Sequence, residues 1–410
     1  MLDDQIRHAK RQFDLTDPDH QRSVLELADA CLGEWAKLPR IDRDSPIEAR
    51  MAWLLADSRR WLSQQKSPSS VGVVFAMWGE ENRLRPRSAG NPHGENSLAT
   101  KLRQLEWATR DTPVTWHVYA VDDGCPKGSA AIAAEIVRAH PLGERVTVIS
   151  LADHLPAASG PLRKLESVDA SRKGGAITLG AMQAIADGAE AVVYTDADSS
   201  VHLGQLGLLL RPFLDGGAKV VLGSRRHPDA VLVKDAARWG VGIKVLRHMQ
   251  RMVGRAIFSR GILDTQAAFK LYESQALAPI LADAEIFDFS FDTDWILAAI
   301  ESGLAIEQVA FAFIDSAAES ASIAQGPMTT WESLLFGLVR AVRSRGFATG
   351  DAAAMAAVIE EEIEDHRDLE RIIDRLPTEL RDAEEADFGD PEIMSPDALR
   401  RWLRSLRAEG

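Results

Sequence analysis

The sequence predicts an α/β fold: a mostly parallel, doubly wound sheet flanked by helices, with helical extensions at the N- and C-terminal ends. Three observations predict it. Short apolar runs rich in β-branched residues, at Val71 to Ala76, Trp116 to Val121, Val146 to Ser150 and Ala191 to Tyr194, have the length of buried strands. Helix-length stretches over 97–110, 129–139 and 173–186 separate them, so strand and helix alternate. Polar clusters punctuate this alternation, at Glu80-Glu81, Asp122-Asp123, Lys173-Gly174-Gly175, and Asp196 with Asp198.

The bulk numbers bound the function classes. A chain of 410 residues, 46% hydrophobic, can bury one large core with appendages. No apolar stretch approaches the roughly 20 residues that span a membrane. The start, Met1-Leu2-Asp3-Asp4, has no signal-peptide character, and the expected location is cytoplasmic. Two cysteines, Cys31 and Cys125, give neither a disulfide framework nor a tetrahedral zinc set. A net charge of −14 argues against broad nucleic-acid binding. Residues 351–410 hold 18 acidic against 8 basic residues, so most of that charge lies in the tail.

In chain order, residues 1–66 read as a helical extension. Asp17-Pro18 starts one helix, with Val24, Leu27, Ala28 and Leu32 on its apolar stripe. Ser45-Pro46-Ile47-Glu48 has the form of a capping box before a second, which buries Met51, Leu54, Leu55, Trp61 and Leu62. Packing or self-association is the expected use of this end. Residues 67–70 are a turn or linker, 71–315 the α/β domain, with a loop over 83–96, and 316–410 an acidic helical extension.

Asp196 and Asp198 end the run Ala191 to Thr195 as a D-x-D pair. In an open α/β sheet ligands occupy the crevice beyond the carboxyl ends of strands. Two hard oxygen donors there suit Mg²⁺ or Mn²⁺ gripping a diphosphate. Two solvated loop aspartates capping the next helix are the alternative. Asp122 and Asp123 end the Trp116–Val121 strand, where a carboxylate can accept a base N–H or simply form an Asp-Gly turn. Lys173 with Gly174-Gly175 offers a cation and closely approaching backbone, or a helix start that needs small residues. No G-x-x-x-x-G-K-[ST] phosphate loop is present.

Read together, Glu80-Glu81, Val121-Asp122-Asp123-Gly124-Cys125, Lys173-Gly174-Gly175 and Asp196-x-Asp198 resemble the inverting glycosyltransferases of family 2, which have the GT-A fold. Leu222-Gly223-Ser224-Arg225, Asp264-Thr265-Gln266-Ala267-Ala268-Phe269-Lys270 and Phe291-Asp292-Thr293-Asp294 narrow the likeness to the polyprenyl and dolichyl phosphate glucosyl- and mannosyltransferase branch. The chain departs from the pattern at Trp78-Gly79, at Cys125 for a usual Ser, at Ala268 for Gly and at Asp294 for Glu.

The resemblance implies a nucleotide-sugar-binding, metal-dependent hexosyltransferase acting with inversion from a UDP- or GDP-linked donor to a phosphorylated or hydroxyl acceptor. It places nucleotide contacts at Glu80, Asp122, Asp123, Lys173 and Asp196, the metal at Asp198 and Asp196, and sugar or acceptor contacts at Arg225, Gln266 and Lys270. The general base on the acceptor hydroxyl comes from Asp292, Asp294 or Asp264. Three alternatives stand: a retaining enzyme of the glucosyl-phosphoglycerate synthase type, a non-catalytic nucleotide-sugar-binding module, and a sugar-phosphate nucleotidyltransferase. Residues 234–260 add a basic amphipathic helix, with Lys244, Arg247, Arg251 and Arg255 on one face and Arg238 and Trp239 before it. This face is read either as a contact with an anionic membrane surface or acceptor, or as a face that pairs with the acidic tail.

Overall fold

The computed structural model describes residues 2–39, 41–234, 241–315 and 327–408. The chain divides into two compact units, one of Met1–Lys234, Gln266–Asp283 and Leu304–Ala318, the other of Asp235–Thr265, Ala284–Gly303 and Glu319–Gly410. Segments 235–265 and 284–303, read from the sequence as part of the 71–315 domain, thus cluster with the C-terminal segment.

The first unit is built on strands β1 (Ser69–Met77), β2 (Val114–Asp122), β3 (Val146–Ser150), β4 (Ala191–Thr195), β5 (Val220–Ser224), β6 (Val231–Val233), β7 (Phe269–Glu273), β8 (Ile306–Ala310) and β9 (Ala312–Ile314). Seven of them form one sheet in the order β3-β2-β1-β4-β7-β5-β8. β7 runs antiparallel to both neighbours and the other pairs are parallel. β6 and β9 pair in a small parallel sheet. The chain runs outward from β1 to β2 and β3, then returns to lay β4 on the other side of β1. That reversal is a switch point, and it opens a crevice at the carboxyl ends of β1 and β4. Val71, Val73, Val74, Phe75 and Met77 of β1 are buried, as a strand covered on both faces requires. Gly72 and Gly180 let the helix Gly174–Ala186 lie close on β1: a Cβ on Gly72 would meet Ala184 Cβ at 2.5 Å, and one on Gly180 would meet Val74 Cγ1 at 2.4 Å.

The N-terminal helices belong to the core of this unit. Asp17 caps the helix Pro18–Gly33, accepting from the Asp19 N–H at 2.8 Å. In the helix Ile47–Ser63, Met51, Leu54, Leu55 and Leu62 are buried, each worth about 2 kcal/mol. The capping box expected at Ser45 does not form. Ser45 Oγ instead bonds the Asp42 carboxylate at 3.1 Å, and Glu48 receives the Lys10 N–H and the Ser23 hydroxyl. Glu48 is drawn to these partners rather than back to its own helix start.

The second unit is helical: Ile243–Val253, Arg255–Phe258, Phe291–Glu301, Pro327–Ser344, Gly350–Glu362, His366–Ile373 and Pro396–Ala408. The basic face of Ile243–Val253 pairs with the tail. Lys244 donates to the Arg381 and Ala383 carbonyls at 2.7 and 2.9 Å, Arg247 meets Glu385 at 3.1 Å, and Arg251 also bonds Glu385. These contacts favour the reading of this face as one that pairs with the acidic tail: Arg247 and Arg251 meet the Glu385 carboxylate, and Lys244 meets two main-chain carbonyls. Arg238 and Trp239 lie outside the described residues. The acidic surplus is further answered at Glu362, where Arg404 and Arg407 bond the carboxylate at 2.7 and 3.3 Å. No helix among the described residues is long and apolar enough to cross a membrane.

Candidate active site

β2, β1 and β4 are neighbours, so their carboxyl ends bring the Asp122-Asp123 turn, Gly79-Glu80 and the D-x-D pair together. Asp123 donates its N–H to the Met77 carbonyl at 2.9 Å, tying the turn after β2 to the end of β1. Asp122 Oδ2 accepts the Cys125 N–H at 3.2 Å, while Oδ1 is buried without a partner among the described residues. Burial raises the Asp122 pKa, against main-chain hydrogen bonds from Cys125, Gly124 and Ala130 that lower it. A buried orphan acceptor suits a base N–H. Cys125, where the sequence pattern has Ser, serves as an acceptor: Sγ takes the Gly79 N–H at 3.2 Å and the Ser129 hydroxyl at 3.1 Å.

Lys173 links the two acid clusters. Its N–H donates to Asp123 Oδ2 at 2.7 Å and its ammonium pairs with Asp196. This takes a left-handed backbone, φ 75° and ψ −45°, which is strained for a side chain other than glycine. Burial lifts the Asp123 carboxyl to about 6, opposed by hydrogen bonds from Ser171 and the Lys173 N–H. Asp196 remains 36% exposed at its side chain, open to a ligand. Burial raises its pKa, but Lys173, Lys101 and Arg225 outweigh this and hold the carboxyl below its ordinary value. Asp198 Oδ1 accepts the Ser200 N–H at 3.0 Å. The hydroxyls of Thr195, Ser199 and Ser200 are buried without a partner among the described residues.

These residues fit a divalent cation of the Mg²⁺ or Mn²⁺ kind. The donors are carboxylate oxygens, and among the described residues no group of three His, Cys, Asp or Glu encloses an ion. One or two carboxylates with the rest supplied by phosphate and water is the usual arrangement for Mg²⁺. For such an ion Asp198 would be the better placed direct ligand, because Asp196 already faces Lys173.

Arg83, Glu95 and Lys101 escaped sequence reading; the first two are grouped with Glu80, which the sequence read as a nucleotide contact. Glu80 is buried and its carboxylate meets Arg83 at 3.0 Å. Burial pushes Glu80 up to about 7, against Arg83, with Asp198 and Glu95 adding to the rise. Arg83 Nε reaches Glu95 at 3.3 Å, and Glu95 Oε2 accepts the Ser199 N–H at 2.8 Å. Lys101, 1% exposed, donates to the Asp198 main-chain carbonyl at 2.6 Å. The signal for Lys101 was its place on the apolar face of Leu98, Leu102 and Leu105 in the helix Ser97–Thr109.

Of the other predicted residues, Arg225 follows β5 with its guanidinium 5.1 Å from the Phe313 ring, and its charge acts on Asp196. Gln266 precedes β7, whose start pairs with the end of β4. Lys270 is fully buried on β7, donating to the Ala267 carbonyl at 2.6 Å with its ammonium 5.3 Å from the Tyr194 ring. This corrects its reading as a sugar or acceptor contact: the side chain is spent inside the sheet. Asp264, Asp292 and Asp294 belong to the second unit. Asp292 and Asp294 lie in the first turn of the helix Phe291–Glu301. Asp294 is held by Arg345 in a two-point ion pair, Nε–Oδ1 at 2.6 Å and Nη2–Oδ2 at 2.9 Å. The structure corrects its candidacy as base, because a carboxylate with both oxygens on a guanidinium is a poor proton acceptor.

Comparison with known proteins bears on the same segment. Residues 96–278 match the family model described as glycosyl transferase family 2. Polyprenol monophosphomannose synthase of Mycolicibacterium smegmatis aligns at 28% identity over 202 residues, 48% of this chain and 67% of that protein. Dolichyl-phosphate beta-glucosyltransferase of Drosophila melanogaster aligns at 24% over 299 residues, 70% of this chain and 80% of that one. Among solved structures, glucosyl-3-phosphoglycerate synthase from Mycobacterium tuberculosis, in complex with Mn²⁺, UDP-glucose and phosphoglyceric acid, superposes with a TM-score of 0.45 at 13% identity, covering 70% of this chain and 83% of that one.

Proposed function

This chain carries a glycosyltransferase family 2 domain and is a glycosyltransferase, and we propose that it transfers a hexose, with inversion, from a UDP- or GDP-linked donor to a phosphate-bearing acceptor, assisted by Mg²⁺ or Mn²⁺ at Asp198 and Asp196. The acceptor class follows the named relatives, a polyprenol monophosphomannose synthase and a dolichyl-phosphate glucosyltransferase. The observation that carries the reading is the Lys173 link between Asp123 and Asp196, which joins a nucleoside-type acceptor cluster to a phosphate-type cation site.

In this reading the unpartnered Asp122 Oδ1 receives a base N–H, and Lys173 and Arg225 attract the donor's phosphates. The metal, when bound, neutralises charge on the departing nucleoside diphosphate. Asp198 and Asp196 hold it. A phosphate acceptor, already ionised, asks little of a general base.

A thermal-shift screen of UDP and GDP with Mn²⁺ tests the donor half, since a ligand selective for the folded state raises its melting point. A shift with one diphosphate, dependent on metal, supports the reading and names the base. No shift with either overturns it. Anomer analysis of the product decides inversion against retention.

A further inference from the structure

The D-x-D loop is held from beneath by two buried charged residues that play no part in the assignments above. Lys101 donates to the main-chain carbonyl of Asp198 at 2.6 Å, and Glu95 accepts the N–H of Ser199 at 2.8 Å. Both side chains are buried, Lys101 at 1% exposed and Glu95 at 4%. They grip the two sides of the peptide unit that joins Asp198 to Ser199. Arg83 anchors Glu95 in turn, at 3.3 Å.

An ammonium carries three donors, and this one has a single acceptor, the Asp198 carbonyl, among the described residues. Burying it costs several kcal/mol. Its helical neighbours Leu98, Leu102 and Leu105 are all fully buried, so an apolar side chain would fill the position at lower cost. Burial lowers the Lys101 pKa, and the field of Asp198, Asp196, Glu95 and Glu80 acts against that fall. Four carboxylates, Glu80, Glu95, Asp196 and Asp198, face four cations, Arg83, Lys101, Lys173 and Arg225. A divalent cation tips this even balance positive, which suits a diphosphate.

We infer that Lys101 and Glu95 are positioning residues for the proposed metal–diphosphate site, fixing the Asp198–Ser199 peptide so that the Asp198 carboxylate is presented before the metal arrives. The inference rests on the reading of Asp198 as a metal ligand. Neither residue touches donor or acceptor; each acts through the backbone of the loop.

The test is Mn²⁺ affinity, from the electron paramagnetic resonance signal of free Mn²⁺, titrated in the presence of UDP and, separately, GDP. Wild type, Asp198→Ala, Lys101→Met and Glu95→Gln are compared at full length, with circular dichroism as the folding control. Supporting the inference, wild type binds, Asp198→Ala loses binding, and folded Lys101→Met binds about tenfold more weakly. Lys101→Met with wild-type affinity overturns the inference while leaving the metal reading intact. Wild type that binds no Mn²⁺ with either diphosphate overturns the metal reading and the inference with it. If Lys101→Met does not fold, Glu95→Gln decides: weaker Mn²⁺ binding supports the inference and wild-type binding overturns it.

Discussion

Lys173 gives its main-chain N–H to Asp123 at 2.7 Å while its ammonium pairs with Asp196, so one residue spans the acid clusters after β2 and β4. The left-handed backbone at Lys173 is what lets both contacts come from one residue. Strain of this kind persists where the surroundings over-determine it.

Replacing Lys173 separates its two roles. Lys173→Gly removes the ammonium and relieves the backbone, whereas Lys173→Ala keeps the strain. Denaturant unfolding is expected to show the Gly variant about 1 kcal/mol more stable than the Ala variant. Both are expected to lose about a hundredfold in sugar transfer, because the ammonium that pairs with Asp196, and that is proposed to attract the diphosphate, is gone.

Glu80 makes stability depend on pH. Its folded pKa is about 7 against an ordinary 4.5, raised by burial, so the folded state holds a proton that the unfolded chain has released between those values. The stability this group contributes is present below about pH 4.5 and is lost as the pH rises through 7. The full effect is of the order of 3 kcal/mol. Relative to wild type, Glu80→Gln is expected to gain stability as the pH goes from about 5 to 8. A constant difference between the two melting temperatures would refute this assignment.

The Asp294–Arg345 pair is expected to be structural. Both side chains are buried, at 1% and 6% exposed. Asp294→Ala alone takes the two-point partner from a buried guanidinium, leaving it Glu301 at 3.3 Å, and is expected to cost about 3 kcal/mol. The double change Asp294→Leu with Arg345→Met is expected to recover most of that loss and to retain transfer activity. Recovery of stability without activity would restore Asp294 as a base.

Cys125 stands where the family pattern has Ser, and its sulfur accepts the Gly79 N–H and the Ser129 hydroxyl. A serine hydroxyl accepts the same bonds. Cys125→Ser is expected to change stability by less than about 1 kcal/mol and to leave the Michaelis constant for the donor unchanged.

The sheet and its crevice were legible because each strand is a short apolar run, and an acid at the end of such a run has few places to go. Asp122, Asp123, Asp196 and Asp198 converge as that logic requires. Lys270 misled because motif position says nothing about which way a strand residue faces; its ammonium turned inward to Ala267. Asp294 misled because its partner Arg345 is 51 residues away. The basic helix was ambiguous for the same reason, since Lys244 finds its acceptors 137 and 139 residues on. Lys101 and Glu95 were hidden by their surroundings: one charge on an apolar helix face, and one acid in a stretch read as loop.

Transfer or hydrolysis of a radiolabelled sugar nucleotide, measured with and without Mn²⁺ for wild type and Asp198→Ala, tests the central claim most directly. Metal-dependent turnover by wild type that disappears in a folded Asp198→Ala variant is the expected result. Turnover that ignores both the metal and the loss of the Asp198 carboxylate would contradict the account.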